Sequence, residues 1–435
     1  FKGGVHPPSC KEFTNNKAIE AASIPDIVII PMQQHIGAPC EPIVNVKAKV
    51  KKGQKVGEGK AFVSSPVHSS ISGEVIAIES RPHPSGDKVL SVVIKSDGQD
   101  EIYEGINTFG DITALSPEEI KKIIRESGIV GMGGAGFPTQ VKLSPPPEKD
   151  IDTLIINGAE CESYLTADYR IMLELTDEII FGIKAVIKAL GVKKAYIGIE
   201  DNKPDAYQKF RDRLADKGNI EVVSLKTKYP QGGEKQLIYS ITGREVPSGG
   251  LPMDVGVVVQ NVGTILAVSN AIKTGMPLID RVVTVTGSGV KEPKNLLARI
   301  GTPFSDLIEL CGGFNGDPGK VIMGGPMMGL AQKDLNVPVV KGTSGILVLT
   351  KEEAKHFEEG PCIKCARCVD MCPISLLPTR IAHFSKMEMW DEAEEYNALD
   401  CIECGCCSYI CPAKIPLVQR IRIAKSEIMA RRKKK

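Results

Sequence analysis

Eight cysteines near the C-terminal end fall into two copies of one spacing, Cys362-x2-Cys365-x2-Cys368-x3-Cys372-Pro373 and Cys401-x2-Cys404-x2-Cys407-x3-Cys411-Pro412. Two intervening residues let the chain loop around a compact body and aim successive thiolates inward, whereas the three-residue step carries the fourth sulfur away. The proline that follows stops a helix from running through that turn. This is the run by which paired 4Fe-4S cubes are held, three thiolates on one cube and the fourth on its neighbour. It assigns Cys362, Cys365, Cys368 and Cys411 to one cluster, and Cys401, Cys404, Cys407 and Cys372 to a second. Structural zinc favours Cys-x2-Cys pairs set farther apart, and disulfides at this density belong to small secreted domains, so both fit poorly. Cys406 is left over and reads as a bystander. Electrons are expected to pass through such a chain.

At 435 residues the chain is too long for one core and should divide into three or four domains. Its 42% hydrophobic and 25% charged residues describe an ordinary folded protein, neither disordered nor membrane-spanning. The most apolar stretches, 24–30 and 255–271, are short or interrupted by Pro25, Asp26, Gln260, Asn261 and Ser269, and neither qualifies as a transmembrane helix. No stretch reads as a signal peptide, and a chain opening at Phe1 rather than Met leaves a leader open. Thiolate ladders need a reducing, iron-supplying compartment, which points to the cytoplasm. A net charge of +1 with no basic domain gives no case for nucleic acid. The basic tail 431–435 reads as a solvated end, or as a contact for anionic lipid or an acidic partner.

Over the first hundred residues Val, Ile, Gly and Pro alternate in the manner of short strands joined by turns. The stretch 44–50 leads through Lys52-Gly53-Gln54-Lys55-Val56-Gly57 to a return over 64–75, which contains Ser65-Pro66-Val67 and Ser72-Gly73-Glu74-Val75. This order resembles the hammerhead fold of lipoyl and biotinyl carriers. No lysine stands where carriers bear their prosthetic arm, which implies a scaffold that kept the fold and lost the arm. At Ser116-Pro117-Glu118-Glu119 the period changes: a capping box with proline at the first helical position predicts an amphipathic helix over 118–127. Strands over 153–156, 195–199 and 221–225 alternate with helices over 177–190 and 204–215. That alternation argues for parallel βαβ units, whose carboxyl strand ends are the usual place for nucleotides. Beyond Pro277, a strand over 281–286 and helices over 295–299 and 304–310 suggest a small β-grasp unit. Between the ladders, 376–399 has helical apolar spacing and no strand signal, so the cluster-bearing part is expected to be all-helical.

The run Gly131-Met132-Gly133-Gly134-Ala135-Gly136-Phe137-Pro138 follows a helix rather than a strand and carries no Walker lysine, so it is neither a Rossmann fingerprint nor a P-loop. Its glycines would bring backbone N–H groups close to a phosphate or a flat ring, although an ordinary tight loop has the same composition. Three polar clusters at the ends of apolar runs add weight: Asn157-Gly158-Ala159-Glu160-Cys161-Glu162, Gly232-Gly233-Glu234-Lys235-Gln236 and Gln260-Asn261-Val262-Gly263-Thr264. Such clusters would converge over a sheet edge.

Together these stretches resemble the flavin- and NADH-binding subunit of respiratory complex I. They are more similar still to the C subunit of the Rnf complex, the membrane-bound ferredoxin:NAD oxidoreductase. That resemblance adds Gly3-Gly4-Val5-His6-Pro7-Pro8, Gly243-Arg244-Glu245-Val246-Pro247 and Met323-Gly324-Gly325-Pro326-Met327-Met328-Gly329, and it covers essentially the whole chain. One departure is Ser163, where the family has proline. The resemblance implies a multidomain α/β protein: a hammerhead-like barrel-sandwich over 1–110, a Rossmann-like α/β domain for FMN and NADH over 111–276, a β-grasp domain of the soluble-ligand-binding type over 277–350, and an all-helical two-cluster ferredoxin domain over 351–435.

It further implies non-covalent FMN against Gly131, Gly133, Gly134 and Gly136, with Lys142, Asn157, Glu160, Gly233, Glu234, Asn261 and Thr264 completing the pocket. NAD(H), the substrate, would lie near Phe137, Glu162 and Lys235. Relative to complex I, Met132 replaces an arginine, Ala159 an aspartate and Lys235 a glutamate. The implied activity is hydride exchange between NAD(H) and FMN, with single electrons moving through the two clusters and no side chain needed as acid or base. The implied partners are other subunits of a membrane-bound complex that moves Na+ or H+, including an iron-sulfur subunit fed by ferredoxin. The chain would sit peripherally on the cytoplasmic face of the membrane, its membrane contact indirect. Two alternatives stand beside this: a corrin reductase of bacterial microcompartments, which carries its hammerhead-like piece after the clusters, and an electron-relay subunit without nucleotide turnover, which the exchanges at Met132, Ala159 and Lys235 would suit. His35, His68, His83 and the other histidines have no companion motif and are expected at the surface or in turns.

Overall fold

The strand alternation of the first hundred residues builds a two-sheet sandwich. A computed structural model describes residues 1–215, 218–355 and 357–434; His356, the end of the basic tail at Lys435, and the side chains of Lys433 and Lys434 lie outside the described residues. One sheet is antiparallel in the order Ile27–Pro31, Lys88–Ser96, Gly73–Pro82, Lys49–Val50, and the other joins Glu41–Pro42, Lys55–Glu58 and Val67–His68. Val28 is paired with Ile94 and Ile30 with Val92, and all four are fully buried; Ile29 and Val93 between them are buried too, so both faces of these strands are covered. His35 and His68 depart from the expected surface position. Both are buried, His35 because its Nε2 is held by Ser64 Oγ at 3.2 Å and Ala38 O at 3.1 Å, and burial pushes its pKa down to about 4. His83 does lie in a turn, with Nδ1 2.8 Å from Ser85 Oγ.

The capping box forms as read: Ser116 Oγ accepts from Glu119 N at 3.3 Å and Glu119 Oε2 accepts from Ser116 N at 2.7 Å, starting the helix Pro117–Glu126. Beyond it lies a four-stranded parallel sheet in the order Ile220–Leu225, Lys194–Glu200, Thr153–Gly158, Val257–Asn261. Helices Pro117–Glu126, Thr176–Leu190 and Val262–Thr274 bury Ile124, Ile183 and Ile265 in one core with Leu154, Ile156 and Val258, while Glu234–Thr242 buries Leu237 and Ile238 with Ile155, Val257 and Val259. The strand and helix within 255–271 escaped the sequence reading because both are buried, and a continuous apolar run has no period to betray either.

A six-stranded sheet follows in the order Ile19–Ala21, Lys294–Arg299, Asp280–Thr286, Gly345–Thr350, Pro318–Met323, Leu330–Gln332. Here the expected helix over 295–299 is corrected: Lys294–Arg299 is a strand, antiparallel to Asp280–Thr286. Asn295, Leu296 and Ala298 are buried while Leu297 is 39% exposed, a pattern over too few residues for a helical and a strand period to be told apart. Its outer neighbour, Ile19–Ala21, comes from the start of the chain. The helix expected over 304–310 is present as Phe304–Leu310. Buried Lys341 ties three units together: its ammonium donates to Pro66 O and Gly128 O, each at 2.7 Å, and burial lowers its pKa to about 7.

The cluster-bearing part is helical, with Arg367–Asp370, Pro378–Lys386, Trp390–Glu395, Cys406–Ile410 and Leu417–Lys434 and no strand among the described residues there. The last of these lies along Pro378–Lys386, burying Ile421, Ala424 and Ile428 with Ile381. Among the described residues, no helix is long and apolar enough to cross a membrane.

Candidate functional site

From the central strand Thr153–Gly158 the chain builds outward through Lys194–Glu200 to Ile220–Leu225, then returns to the other side at Val257–Asn261. The sheet therefore has its topological switch point between Thr153–Gly158 and Val257–Asn261, the place where loops leaving the carboxyl ends of such sheets part and a binding crevice is expected. Asn157 and Asn261 are register partners at that point. The glycine loop crosses above them. Gly131 N donates to Phe137 O at 2.8 Å to close the loop, and Met132 N donates to Thr264 Oγ1 at 2.9 Å to anchor it. A Cβ on Gly133 would stand 3.0 Å from that of Asn261, so glycine is what permits this approach. At Gly134, with φ +154°, a Cβ would meet nothing within 4 Å, and residues 133–135 are exposed. The loop thus has one face tied to the sheet end and one face open.

Several expected pocket residues meet here. Lys142 Nζ lies 2.7 Å from Glu234 Oε1 and 3.2 Å from Val259 O, which joins the segment after the glycine loop to the first residue of helix Glu234–Thr242. Gly233 is that helix's N-cap. Asn157 Nδ2 donates to Gly232 O at 2.9 Å. Asn261 Oδ1 caps helix Val262–Thr274 by accepting from Gly263 N at 2.8 Å and Thr264 N at 3.4 Å. Glu160 stands apart from the open face: its carboxylate accepts from Asp168 N at 2.7 Å and Tyr169 N at 3.1 Å and so caps helix Ala167–Glu174. The exposed backbone of residues 133–135, an ammonium at the rim and two amides at the switch point fit the chemistry of a phosphate-bearing flat ring.

Of the residues expected at NAD(H), Phe137 belongs to the glycine loop, half-buried. Glu162 points elsewhere: its carboxylate accepts from Met327 N at 3.2 Å and Met328 N at 2.9 Å, tying the 159–166 loop to the six-stranded unit, and burial raises its pKa. Lys235 Nζ donates to Pro247 O at 3.1 Å. Met132 is buried in the main core, and Ala159 is buried with its carbonyl taken by Lys203 Nζ at 2.7 Å, so neither side chain faces the crevice mouth.

Three groups near the crevice escaped the sequence reading. Asp168 Oδ2 accepts from Asn261 Nδ2 at 2.7 Å and so fixes the amide that caps helix Val262–Thr274. Burial first, then the nearby Glu160 carboxylate, pushes Asp168 up to about 7. Lys11 reaches in from the start of the chain, donating to the carbonyls of Glu160 and Glu162 at 3.0 Å each and to that of Leu165. Tyr229 lies between the crevice and the cysteines. An aspartate in the first turn of a helix was the one available signal, and by itself it reads as a partner for the helix dipole.

All thirteen cysteines are described and free. Cys372, Cys401, Cys404 and Cys407 line one cavity, together with Cys406, and they are the set assigned to the second cluster by spacing. Cys368 and Cys411 are buried in a shared cluster of side chains, while Cys362 and Cys365 are exposed. The two ladders wind alike. Lys364 and Glu403, Ala366 and Gly405, and Ser375 and Lys414 occupy equivalent positions, and all six have φ between 55° and 78°. Five of them are not glycine, so each costs on the order of 1–2 kcal/mol. Strain repeated at matching positions marks a constraint that turning three thiolates toward one body would impose. Backbone N–H groups also approach sulfur, Leu376 N to Cys372 Sγ at 3.3 Å and Glu403 N to Cys401 Sγ at 3.4 Å, as around cluster ligands. Among the described residues no three His, Cys, Asp or Glu side chains converge on a single-ion site.

The cysteine cavity abuts the crevice. Gln236 Nε2, on the helix that Glu234 begins, donates to Pro373 O at 3.4 Å, and Tyr229 OH donates to Cys404 O at 2.8 Å.

Family models match most of this chain: an RnfC barrel sandwich hybrid domain over residues 1–99, a Nuo51 FMN-binding domain over 124–270, an SLBB domain over 282–331 and a 4Fe-4S dicluster domain over 361–415. The C subunit of the Na(+)-translocating ferredoxin:NAD(+) oxidoreductase complex of Acetobacterium woodii is 54% identical over 434 residues, covering 100% of this chain and 98% of its own. The proton-translocating counterpart of Clostridium ljungdahlii is 54% identical over 98% of this chain and 93% of its own, and the C subunit of the ion-translocating oxidoreductase complex of Rhodobacter capsulatus is 44% identical over 100% and 84%. Among solved structures, a chain of the NAD+-reducing NiFe-hydrogenase in the air-oxidized state superposes with a TM-score of 0.50 at 20% identity, over 65% of this chain and 54% of that one, a likeness of fold alone.

Proposed function

The chain belongs to the family of C subunits of Rnf-type ion-translocating ferredoxin:NAD(+) oxidoreductase complexes, and we propose that its switch-point crevice takes FMN and NAD(H) while its two cysteine sets hold two 4Fe-4S clusters facing that crevice and the surface. It is an oxidoreductase subunit that passes electrons between NAD(H) and iron-sulfur clusters within a complex coupled to Na+ or H+ translocation. FMN supplies the exchange between a two-electron hydride and single electrons, and each cluster supplies a one-electron station.

In this reading the open face of Gly133 and Gly134 receives the flat ring, and the N–H groups of residues 133–136 hold its polar edge. Lys142, braced by Glu234, holds negative charge at the rim. Asn157 and Asn261 present their amides at the switch point, and Thr264 keeps the loop in place. Glu160 acts through the helix it caps, and Gly233 starts the helix that carries Glu234. Phe137 and Lys235 border the nucleotide, whereas Glu162 serves by holding the loop between them to the six-stranded unit. The chain divides for this purpose into the sandwich, the flavin unit, the β-grasp unit and the helical cluster unit, at boundaries near residues 110, 276 and 350.

The cluster of Cys372, Cys401, Cys404 and Cys407 stands next to the crevice, and that of Cys362, Cys365, Cys368 and Cys411 next to the surface, where Ile363 is 66% exposed. The exposed end is where an iron-sulfur subunit fed by ferredoxin docks. The chain thereby sits on the cytoplasmic face, its membrane contact made through other subunits.

The observation that carries the reading is the cavity of four cysteines from two ladders set against the strand-end crevice. The test is anaerobic purification with flavin and iron analysis, followed by NADH. About one flavin and eight iron atoms per chain, with the flavin bleached by NADH, are expected. Iron without flavin would instead support a relay subunit with no nucleotide turnover, the reading favoured by the prior engagement of Glu162 and Lys235. The microcompartment corrin reductase is set aside by the family and by the sandwich opening the chain.

A further inference from the structure

Between the crevice and the cysteine cavity lies one residue that bonds the ladder through both its side chain and its backbone. Asn157, at the switch point, bonds Gly232 O, and Gly232 N donates to Cys161 Sγ at 3.3 Å. Three residues earlier in the same loop is Tyr229, 2% exposed. Its hydroxyl donates to the carbonyl of Cys404 at 2.8 Å, and its own carbonyl accepts from the Cys406 thiol at 3.9 Å. The exchange is reciprocal: one loop gives O–H to the ladder, and the ladder gives S–H back.

The clasp is braced from behind by the start of the chain. Val5 N donates to Tyr229 O at 2.8 Å and Tyr229 N to Val5 O at 2.9 Å, while Gly4 N donates to Met371 O at 2.9 Å, beside Cys372. A Cβ on Gly4 would come within 2.6 Å of Tyr229 O, and one on Gly3 within 2.7 Å of Cys372 O. Glycine there lets the strap press between the flavin loop and a cluster-bearing turn. Val5, Tyr229, Cys404 and Cys406 form one buried group of side chains.

We propose that Tyr229 is a positioning residue for electron transfer: with Cys406 it clasps the Cys404 turn, seats the crevice-side cluster against the flavin loop, and raises that cluster's reduction potential. The physical reason is the direction of the dipole. A hydroxyl hydrogen aimed at the peptide of a ligand loop puts partial positive charge beside the cluster, and donors around a cluster favour its more negative, reduced form. Burial strengthens the effect, because water is not there to screen it. Cys406 then has a role without being a ligand. The inference rests on the assignment of Cys372, Cys401, Cys404 and Cys407 to one cluster.

The test uses the whole chain, purified anaerobically as wild type, Tyr229→Phe and Cys406→Ala, with iron and flavin content measured and both clusters titrated electrochemically by electron paramagnetic resonance. The crevice-side signal is identified by its absence from Cys401→Ser. Tyr229→Phe keeps the ring and loses only the hydroxyl bond. The expected result is unchanged flavin, unchanged iron, and a lower potential for the crevice-side cluster alone, seen also as a several-fold smaller fraction of that cluster reduced by NADH. Cys406→Ala is expected to shift the same signal in the same direction, and it carries the test if Tyr229→Phe does not fold. Loss of the crevice-side cluster alone, with flavin and the other cluster kept, also supports the clasp as its seat. Wild-type potentials for both clusters in both variants overturn it. A wild type with only one cluster overturns the ligand assignment and the clasp with it, and shows itself before any variant is made.

Discussion

Asp168→Asn tests whether the carboxylate that fixes Asn261 is held at a cost in stability. Burial, then the Glu160 carboxylate, raises Asp168 from 3.8 to about 7, while the Asn261 amide and the charges of Arg281 and Lys11 oppose the rise. Between those values the folded chain binds a proton that the unfolded chain has released, so stability falls as pH rises. The loss begins near the unfolded value and is complete above pH 7. At about 1.36 kcal/mol per pH unit, it amounts to roughly 2 kcal/mol at pH 5 and on the order of 4 kcal/mol above pH 7. Asparagine has the same shape, its amide oxygen accepts from Asn261 Nδ2 as the carboxylate does, and it carries no charge to bury. The variant's advantage over wild type should therefore widen by roughly 2–3 kcal/mol between pH 5 and pH 8.5. For a unit of this size that is a gap in melting temperature growing by roughly 5–10 °C. Thermal melts followed by circular dichroism at the two pH values measure it, with flavin content expected to stay at the wild-type level because Asn261 keeps its partner. A gap that does not change with pH, or a variant less stable than wild type at pH 8.5, refutes the argument.

Gly134→Asp places a charged side chain on the open face of the glycine loop, at φ +154°; flavin should be lost on gel filtration while iron per chain is unchanged. Cys411→Ser is expected to abolish the surface-side cluster and Cys372→Ser the crevice-side one, so that each variant loses the resonance of the opposite ladder; loss of the variant's own ladder signal would show that the fourth thiolate does not cross over. Lys203→Met removes an ammonium held by Ala159 O at 2.7 Å, Asn202 Oδ1 at 2.9 Å and Glu200 Oε2 at 3.2 Å. Leaving buried Glu200 without its cation should cost roughly 3–5 kcal/mol, less at low pH where the carboxyl takes up a proton, and Glu200→Gln in the same chain should restore part of the lost melting temperature.

The cysteine ladders made a two-cluster domain legible because the constraint they express is local: a few bonds separate one thiolate from the next, and the left-handed turns at Lys364, Ala366, Glu403 and Gly405 need no distant partner to be implied. The crevice was partly readable for a similar reason. Polar residues closing an apolar run, as at Asn157 and Asn261, sit at strand ends whichever strands become neighbours, and their pairing follows once the sheet is parallel. Glu160 and Glu162 mark where local reasoning stops. Both stand in a motif that points at the crevice, yet their carboxylates accept from Asp168 and Tyr169 in one case and from Met327 and Met328 in the other. A carboxylate's neighbours in sequence say that it is there, and only the tertiary fold says which N–H groups reach it first. Lys11 and Val5 carry the point further. They bond the loops after Gly158 and Leu225 from more than a hundred residues away, so no window of sequence contains both halves of the contact. The flavin unit and the crevice-side cysteines are each written in the chain as separate local patterns. Among the contacts that join them are a strap of glycines, one tyrosine hydroxyl, a thiol outside the ladder count and the Gln236 amide on Pro373 O, and their function as a pair is a property of the folded contacts alone.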